Sequence, residues 1–497
     1  MIRFDRPLAR TLALALVLAP AAPSQAHAQP APAPVLAPSP LPMPTSSGTP
    51  LPYPAYGTPA PDVSAQRQHA GIPITVSLVQ AIDIAVAQSP AFASQRAQYR
   101  AIAARYGAEQ GALYPNISAN GSIDRSYGAV GTGSSGTGGG GTGTGSNSGS
   151  AVVTSEGAHV TLTELIYDGG RVIAGIRTAK EADIAGRDTL VRQLQTLAFN
   201  VATAYYNQLE ADATVNADAL VVRQFETQEN AISAQIRAGA AARSDLAAAQ
   251  SQTAQARGQL VAAQSSAIAA QATFATTLGL DADSAINPQS LGKSPAQVKT
   301  APYPSALSTA LTLRPDYLAA IHTVESSSEN LRFAKLARFP SLNANASTGT
   351  QRTLIASPNA ATPFSSSSSI GATISIPIYD QGLTNYNVAV AASQLDQANA
   401  GLQATKLAVE SDVRTALSQV VSARAALVQG QAELSSAVVN VQATQARYRV
   451  GAATITDVVT AQALFATASR DYVNVLYAER LAEERYTYAL GASDLRL

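Results

Sequence analysis

Two periodicities alternate along the chain. Around the aromatic-Pro pairs Tyr114-Pro115 and Phe339-Pro340, short segments alternate polar and apolar positions: Asn116-Ile117-Ser118-Ala119-Asn120 and Ser341-Leu342-Asn343-Ala344-Asn345. Two more segments do the same, His159-Val160-Thr161-Leu162-Thr163 and Ala372-Thr373-Ile374-Ser375-Ile376. A period of two predicts strands with one wet and one apolar face. The expected strands are about 115–127, 153–167, 340–350 and 370–379. Elsewhere the period is helical. Val388, Leu395, Leu402, Val409 and Ala416 step by seven. After a shift of four, Val413, Val420, Leu427, Leu434, Val441 and Tyr448 step by seven again. Sustained heptads predict coiled-coil packing. No proline occurs between Pro115 and Pro288, or after Pro377, so long helices are free to form. The expected long helices are 168–237 and 380–447, with return helices 241–278 and 454–490 and a shorter helix 315–338. At 1.5 Å per residue the longest run to about 100 Å.

These elements form a duplicated unit. Ala81 to Ser89-Pro90 aligns with Ala306 to Arg314-Pro315 at an offset of 225, as do Tyr114-Pro115 with Phe339-Pro340. Ile166-Tyr167-Asp168 aligns with Ile378-Tyr379-Asp380 at an offset of 212, and so do Gly239 with Gly451, Asp245 with Asp457, and Leu278-Gly279 with Leu490-Gly491. The offsets differ by 13, which places an insertion in the first repeat, in the Gly/Ser/Thr tract Gly131–Ser150. The second repeat has a Ser-rich loop at the same point, Ser357 to Ser369. The repeats are 74–280 and 303–491, joined by a linker over 281–302.

The N-terminus predicts export. Arg3, Arg6 and Arg10 precede the apolar run Leu12–Leu18, and Ala26-His27-Ala28 closes the segment. Residues 1–28 thus read as a secretory signal peptide. Residues 29–73 hold 13 of the 27 prolines and read as an extended arm. No later segment has the ~20 apolar residues of a membrane helix, so any crossing must use β-strands.

Composition then narrows the function. The chain has 497 residues, 33 basic and 33 acidic, and only 13% charged, about half the usual share. Neutral balance argues against nucleic-acid binding. Cysteine is absent, which excludes disulfides, thiolate zinc sites, a Cys nucleophile and a lipidated N-terminal Cys. No nucleophile–base pair stands out, so no enzyme, cofactor or metal is expected. Gly131-Thr132-Gly133-Ser134-Ser135-Gly136 fits G-x-G-x-x-G but lacks a preceding buried strand and a following helix. His159 and His322 lack metal-ligand spacing and read as structural or solvent-facing.

Four strands cannot close a barrel. An open sheet in lipid leaves its edges unpaired, and single-chain barrels start at eight strands. Other copies must complete it. Tyr114, Tyr167, Phe339 and Tyr379 all fall at one end of the hairpins, as an interfacial aromatic girdle requires, although core aromatics would show the same spacing.

The residues resemble the TolC-type outer membrane efflux proteins. The similarity runs from about 74 to 492. It is carried by Leu313-Arg314-Pro315-Asp316-Tyr317, Phe339-Pro340-Ser341-Leu342, Ile376-Pro377-Ile378-Tyr379-Asp380, Tyr448-Arg449-Val450-Gly451 and Thr456-Asp457-Val458 with Ala461-Gln462. The resemblance implies a mixed α and β membrane protein, a homotrimer with a 12-stranded outer-membrane β-barrel continued by a periplasmic α-helical barrel. It implies a passive exit duct of a tripartite efflux or type I secretion system. The implied partners are outer-membrane lipid, a periplasmic adaptor protein and an inner-membrane pump of RND, ABC or MFS type. A periplasmic coiled-coil scaffold without a pore is the alternative. The Pro-rich arm and Gly-rich tract are longer than the family pattern.

Site expectations gather where long helices meet return helices. Gly239 and Gly451 are helix-stopping glycines and, by position, part of an adaptor-contact tip with Arg243 and Arg449. Asp245 and Asp457 lie on the first turns of the return helices, where a carboxylate is favoured in any case. Tripled by assembly, they would instead line a periplasmic gate as carboxylate rings. The resemblance implies acidic constriction residues at Asp457 and one turn on, where this chain has Thr460. It also implies that Tyr448 helps hold the tip closed.

Overall fold

The computed structural model describes residues 74–129, 150–239, 241–290, 298–355 and 363–492, and the side chains of 128–129, 150–153 and 355 are left undescribed. All of these residues fall in one unit, Asp62–Leu497. The expected signal peptide, the Pro-rich arm and nearly all of the Gly-rich tract lie outside the described residues.

Each repeat runs helix pair, strand pair, long helix, return helix. The first has β1 (Ile74–Val76), α1 (Leu78–Gln88), α2 (Pro90–Gly111), β2 (Asn116–Ala129), β3 (Ser150–Tyr167), α3 (Arg171–Arg237) and α4 (Arg243–Thr277). After β4 (Ile286–Pro288) come α5 (Tyr303–Leu313), α6 (Pro315–Leu336), β5 (Ser341–Ile355), β6 (Ser365–Ser375), α7 (Leu383–Arg449) and α8 (Ile455–Leu490). The mixed α and β architecture expected from the two periodicities is therefore present.

Proline sets the helix breaks. Pro90 and Pro315 each occupy the first position of a helix, where a missing N–H costs nothing. The preceding residues, Ser89 and Arg314, are extended, as a residue before proline prefers. Ser89 also caps α2 by accepting from the Phe92 N–H.

The long helices, 67 residues each, start later than their proline-free windows. Asp168 and Asp380 make a turn first. Each carboxylate accepts two backbone N–H groups, from Gly170 and Val172 in one repeat and from Gly382 and Thr384 in the other. Gly170 and Gly382, at φ 88° and 83°, hold the left-handed turn into the helix. The repeated Ile-Tyr-Asp is thus a strand exit followed by a helix-starting acid.

Heptad positions Val409, Ala416, Val413, Val420 and Val441 are buried along α7. Val409, Val413, Ala416 and Val420 pack with Tyr486 and Ala489 of α8 and Ala306 and Ala310 of α5. The corresponding core of the first repeat joins Ala81 and Ala85 of α1, Val201, Tyr205 and Leu209 of α3, and Phe274 of α4. Parallel pairing of β1 with β4 seals its end. Those two strands, of three residues each, have no alternation from which they could be read, and β4 lies in what the sequence reads as a linker.

The larger sheet has the order β2-β3-β5-β6, antiparallel throughout. Two expected boundaries are corrected here. Ser365–Ser369, read as part of a loop, lie in β6 and pair with Ser347–Gln351. Serine has low strand propensity, but cross-strand hydroxyl pairs support it: Ser347 with Ser369 and Thr348 with Ser368, both at 2.9 Å. At its other end β6 stops at Ser375 rather than 379, because Pro377 has no N–H for the ladder.

The register sorts the two faces. Ile117, Leu162, Ala346 and Ile370 lie across from one another, as do Ala119, Val160 and Thr348. The other face carries Ser118, Thr161, Ser347 and Ser369 in one row and Asn120, His159 and Gly349 in the next. The apolar face is left uncovered: Ile117, Ile123, Tyr127, Ile370 and Ile374 are all exposed.

Candidate functional site

At the far ends of the long helices, both turns are built alike. Gly239 and Gly451 each have φ 74°, a left-handed conformation that a side chain would strain, with no atom close enough to obstruct a Cβ. The return helices are then capped differently. Ala242 offers α4 no side-chain cap. Thr454 and Asp457 form a reciprocal capping box on α8: the Thr454 hydroxyl accepts from the Asp457 N–H at 3.2 Å, and Asp457 Oδ2 accepts from the Thr454 N–H at 2.8 Å.

This difference separates the two aspartates that the sequence places at an expected gate. Asp457 is exposed, but its carboxylate is turned back onto its own helix start. The backbone N–H of Thr454, then its hydroxyl, hold the Asp457 carboxyl below the usual carboxylate value, with Arg447 adding to the effect. The Asp245 side chain reaches the other repeat instead. The Tyr448 hydroxyl on α7 donates to Asp245 Oδ2 at 3.0 Å, and Ser244 donates to Oδ1 at 3.3 Å. Burial, then the hydrogen bond to Asp245, push the Tyr448 phenol up to about 12.

Thr460 is exposed one turn beyond Asp457. Arg243 and Arg449 are exposed. Among the described residues, neither forms an ion pair with Asp245 or Asp457. Arg449 instead donates to the Gln445 carbonyl, and Arg447 to that of Ala452.

At the other end, Tyr114, Tyr167, Phe339 and Tyr379 are all exposed, so none is a core aromatic within the chain. Phe339 is the least free, since its ring lies against the Gly169 turn. A second aromatic set escaped the sequence reading. Tyr127 and Phe364 are exposed near the opposite ends of the hairpins, with the Arg125 guanidinium 5.4 Å from the Tyr127 ring and Arg352 4.6 Å from Phe364. Arg352 also pairs with Glu156 across the β3–β5 ladder at 2.6 Å. The Tyr127-to-Tyr114 spacing was the available signal.

The Leu313-Arg314-Pro315-Asp316-Tyr317 segment is a structural joint. Buried Arg314 pairs with Asp316 at 2.6 Å and with Asp412 of α7 at 3.1 Å. Arg192 of α3 approaches the same Asp316 at 3.5 Å and stacks 3.9 Å from the Tyr488 ring. Burial alone would raise the Asp316 carboxyl, but the Arg314 hydrogen bond and the Arg192 charge hold it below its ordinary value.

The family model described as "Outer membrane efflux protein" matches residues 81–280 and 306–492. The outer membrane efflux protein BepC of Brucella suis is 25% identical over 307 residues, which cover 61% of this chain and 65% of that protein. Among solved structures, a membrane protein from Pseudomonas aeruginosa superposes with a TM-score of 0.69 at 21% identity, over 84% of this chain and 94% of that one. The CmeC outer membrane channel of Campylobacter jejuni gives 0.70 at 18% identity, over 85% and 89%.

Proposed function

Because the chain belongs to the outer membrane efflux protein family and resides in the outer membrane, we propose that it is the exit duct of a tripartite efflux or type I secretion system. The observation that carries this reading is the four-stranded sheet. Among the described residues its apolar face is uncovered and both edge strands, β2 and β6, lack a second neighbour. Such a sheet in lipid must be closed by further copies. Three copies make a 12-stranded barrel, with the Ser/Thr/Asn face lining a wet lumen and the Ile/Leu/Val face toward acyl chains. Tyr114, Tyr167, Phe339 and Tyr379 sit at the periplasmic interface, with Tyr127 and Phe364 as the opposite band. The 13 residues from Tyr114 to Tyr127 rise roughly 30 Å at the usual strand tilt, which suits a hydrocarbon core.

The paired long helices continue the barrel into the periplasm. There the duct is closed at the tips, where Tyr448 ties the second repeat to Asp245 of the first. Asp245 and Asp457 form carboxylate rings at that level, and Thr460 lines the same mouth without charge. The turns at Gly239, Arg243, Arg449 and Gly451 dock a periplasmic adaptor. An inner-membrane pump of RND, ABC or MFS type supplies the energy, and the duct itself is a passive conduit rather than an enzyme. A pore-less periplasmic scaffold is disfavoured by the uncovered apolar sheet face, which would have no partner in water.

Fractionation with native mass measurement tests this. The reading expects extraction from membranes only by detergent and a mass of three chains. A monomer in the soluble periplasmic fraction would overturn it.

A further inference from the structure

Between α3 and α6, where the two repeats meet, three ligand-type side chains converge. His322 Nδ1 lies 3.0 Å from Glu181 Oε2 and 3.2 Å from Glu325 Oε2. One nitrogen, one atom from each carboxylate: all three fall within 4.8 Å of one another. Glu325 and His322 are three positions apart on α6, so they share a helix face. Glu181 comes from the facing helix, 141 positions away in sequence. The helices are fixed at this level by the Ser326 hydroxyl, which donates to the Thr178 carbonyl at 3.0 Å.

We infer that Glu181, His322 and Glu325 form a divalent-cation site, with zinc as the ion that best fits one imidazole and two carboxylates. Two arguments lead there. The first is charge. Among the described residues, neither Glu181 nor Glu325 has a Lys or Arg ion-pair partner. A half-buried carboxylate, Glu181, and an exposed one, Glu325, therefore meet at a single imidazole nitrogen, which carries at most one hydrogen for two acceptors. A cation between them satisfies all three atoms. The second is geometry. Ligands bound to zinc at 2.0–2.1 Å in a tetrahedron stand about 3.3 Å apart, close to the two separations between His322 and the carboxylates. A His and a Glu three apart on one helix, facing a Glu on another, share the i, i+3 spacing by which helix bundles build metal sites, with the His and Glu in reverse order. The fourth position opens to solvent and takes water. Its effect is mechanical: it clamps the long helix of one repeat to the short helix of the other.

The test uses the full-length protein in detergent, without a histidine tag, stripped with a chelator and then titrated with zinc. The expected result is one zinc per chain and a higher unfolding temperature with zinc. His322→Ala and Glu181→Gln should each weaken zinc binding at least tenfold and abolish that rise while still eluting at the wild-type size. Cobalt substitution should give the absorption of a tetrahedral site in the wild type only. If a substitution prevents folding, Glu325→Gln and the wild-type cobalt spectrum decide. No zinc bound to the wild type, or binding unchanged in variants that fold, would overturn the assignment.

Discussion

The phenol of Tyr448 donates a hydrogen bond of 3.0 Å to Asp245, 203 positions away, and so joins the tips of the two repeats. Burial and this bond push the phenol up to about 12 from its ordinary 10. The folded tip therefore holds the proton more tightly than the free side chain does. The contact is at full strength below pH 10 and is lost as pH rises through 12. An ultraviolet phenolate titration should show a late-titrating set of tyrosines, because burial also raises Tyr205, Tyr206 and Tyr477, and Tyr448→Phe should remove one member of that set. If Tyr448→Phe leaves the late-titrating set unchanged, the tip contact does not form in solution.

Substitution can separate the observed cap role of Asp457 from its proposed gate role. Asp457→Ala removes half of the capping box and should lower stability, whereas Asp457→Asn keeps an acceptor. Both remove the charge, so both should reduce cation selectivity, and Asp457→Ala should also raise leak or antibiotic entry. The depressed carboxyl keeps its stabilising role above the ordinary value of 3.8 and loses it as pH falls through its lowered value. Chemical denaturation and reversal potentials provide the two readouts. Selectivity unchanged in both variants would leave Asp457 a helix cap alone.

The two sheet faces should respond oppositely to charge. Ile370, on the apolar face and 92% exposed, is paired with Ala346. Ile370→Asp should cost about 2 kcal/mol and deplete assembled protein in the outer membrane. Ser369→Asp, one residue away on the polar face, should assemble normally. Quantifying assembled trimer for both variants checks the assignment. Equal tolerance would mean that the face does not meet lipid.

The duplicated plan was legible because proline, glycine and heptad positions act locally. Pro90 and Pro315 stop helices wherever they fall, and Val409 to Val420 show their stripe without any partner. The strand cores were legible for the same reason. What remained hidden depends on partners far apart in sequence. The polar run Ser365–Ser369 becomes strand only because Ser347 and Thr348 lie opposite. The buried role of Arg314 requires Asp412 and Arg192, and His322 looks isolated until α3 brings Glu181 beside it. At the tip, equivalent positions in the two repeats suggested equal roles for Asp245 and Asp457. Thr454 against Ala242 at the cap position separates them, and that contrast was readable in the sequence.

The central claim, a trimeric duct held shut at its helix tips, is tested most directly by single-channel recording of the purified protein in planar bilayers. The wild type should give a small, cation-selective conductance, and Tyr448→Phe, which breaks the Asp245 contact, should raise it several-fold without loss of the trimer. A wild type that never conducts, or a conductance unmoved by Tyr448→Phe, would contradict the account.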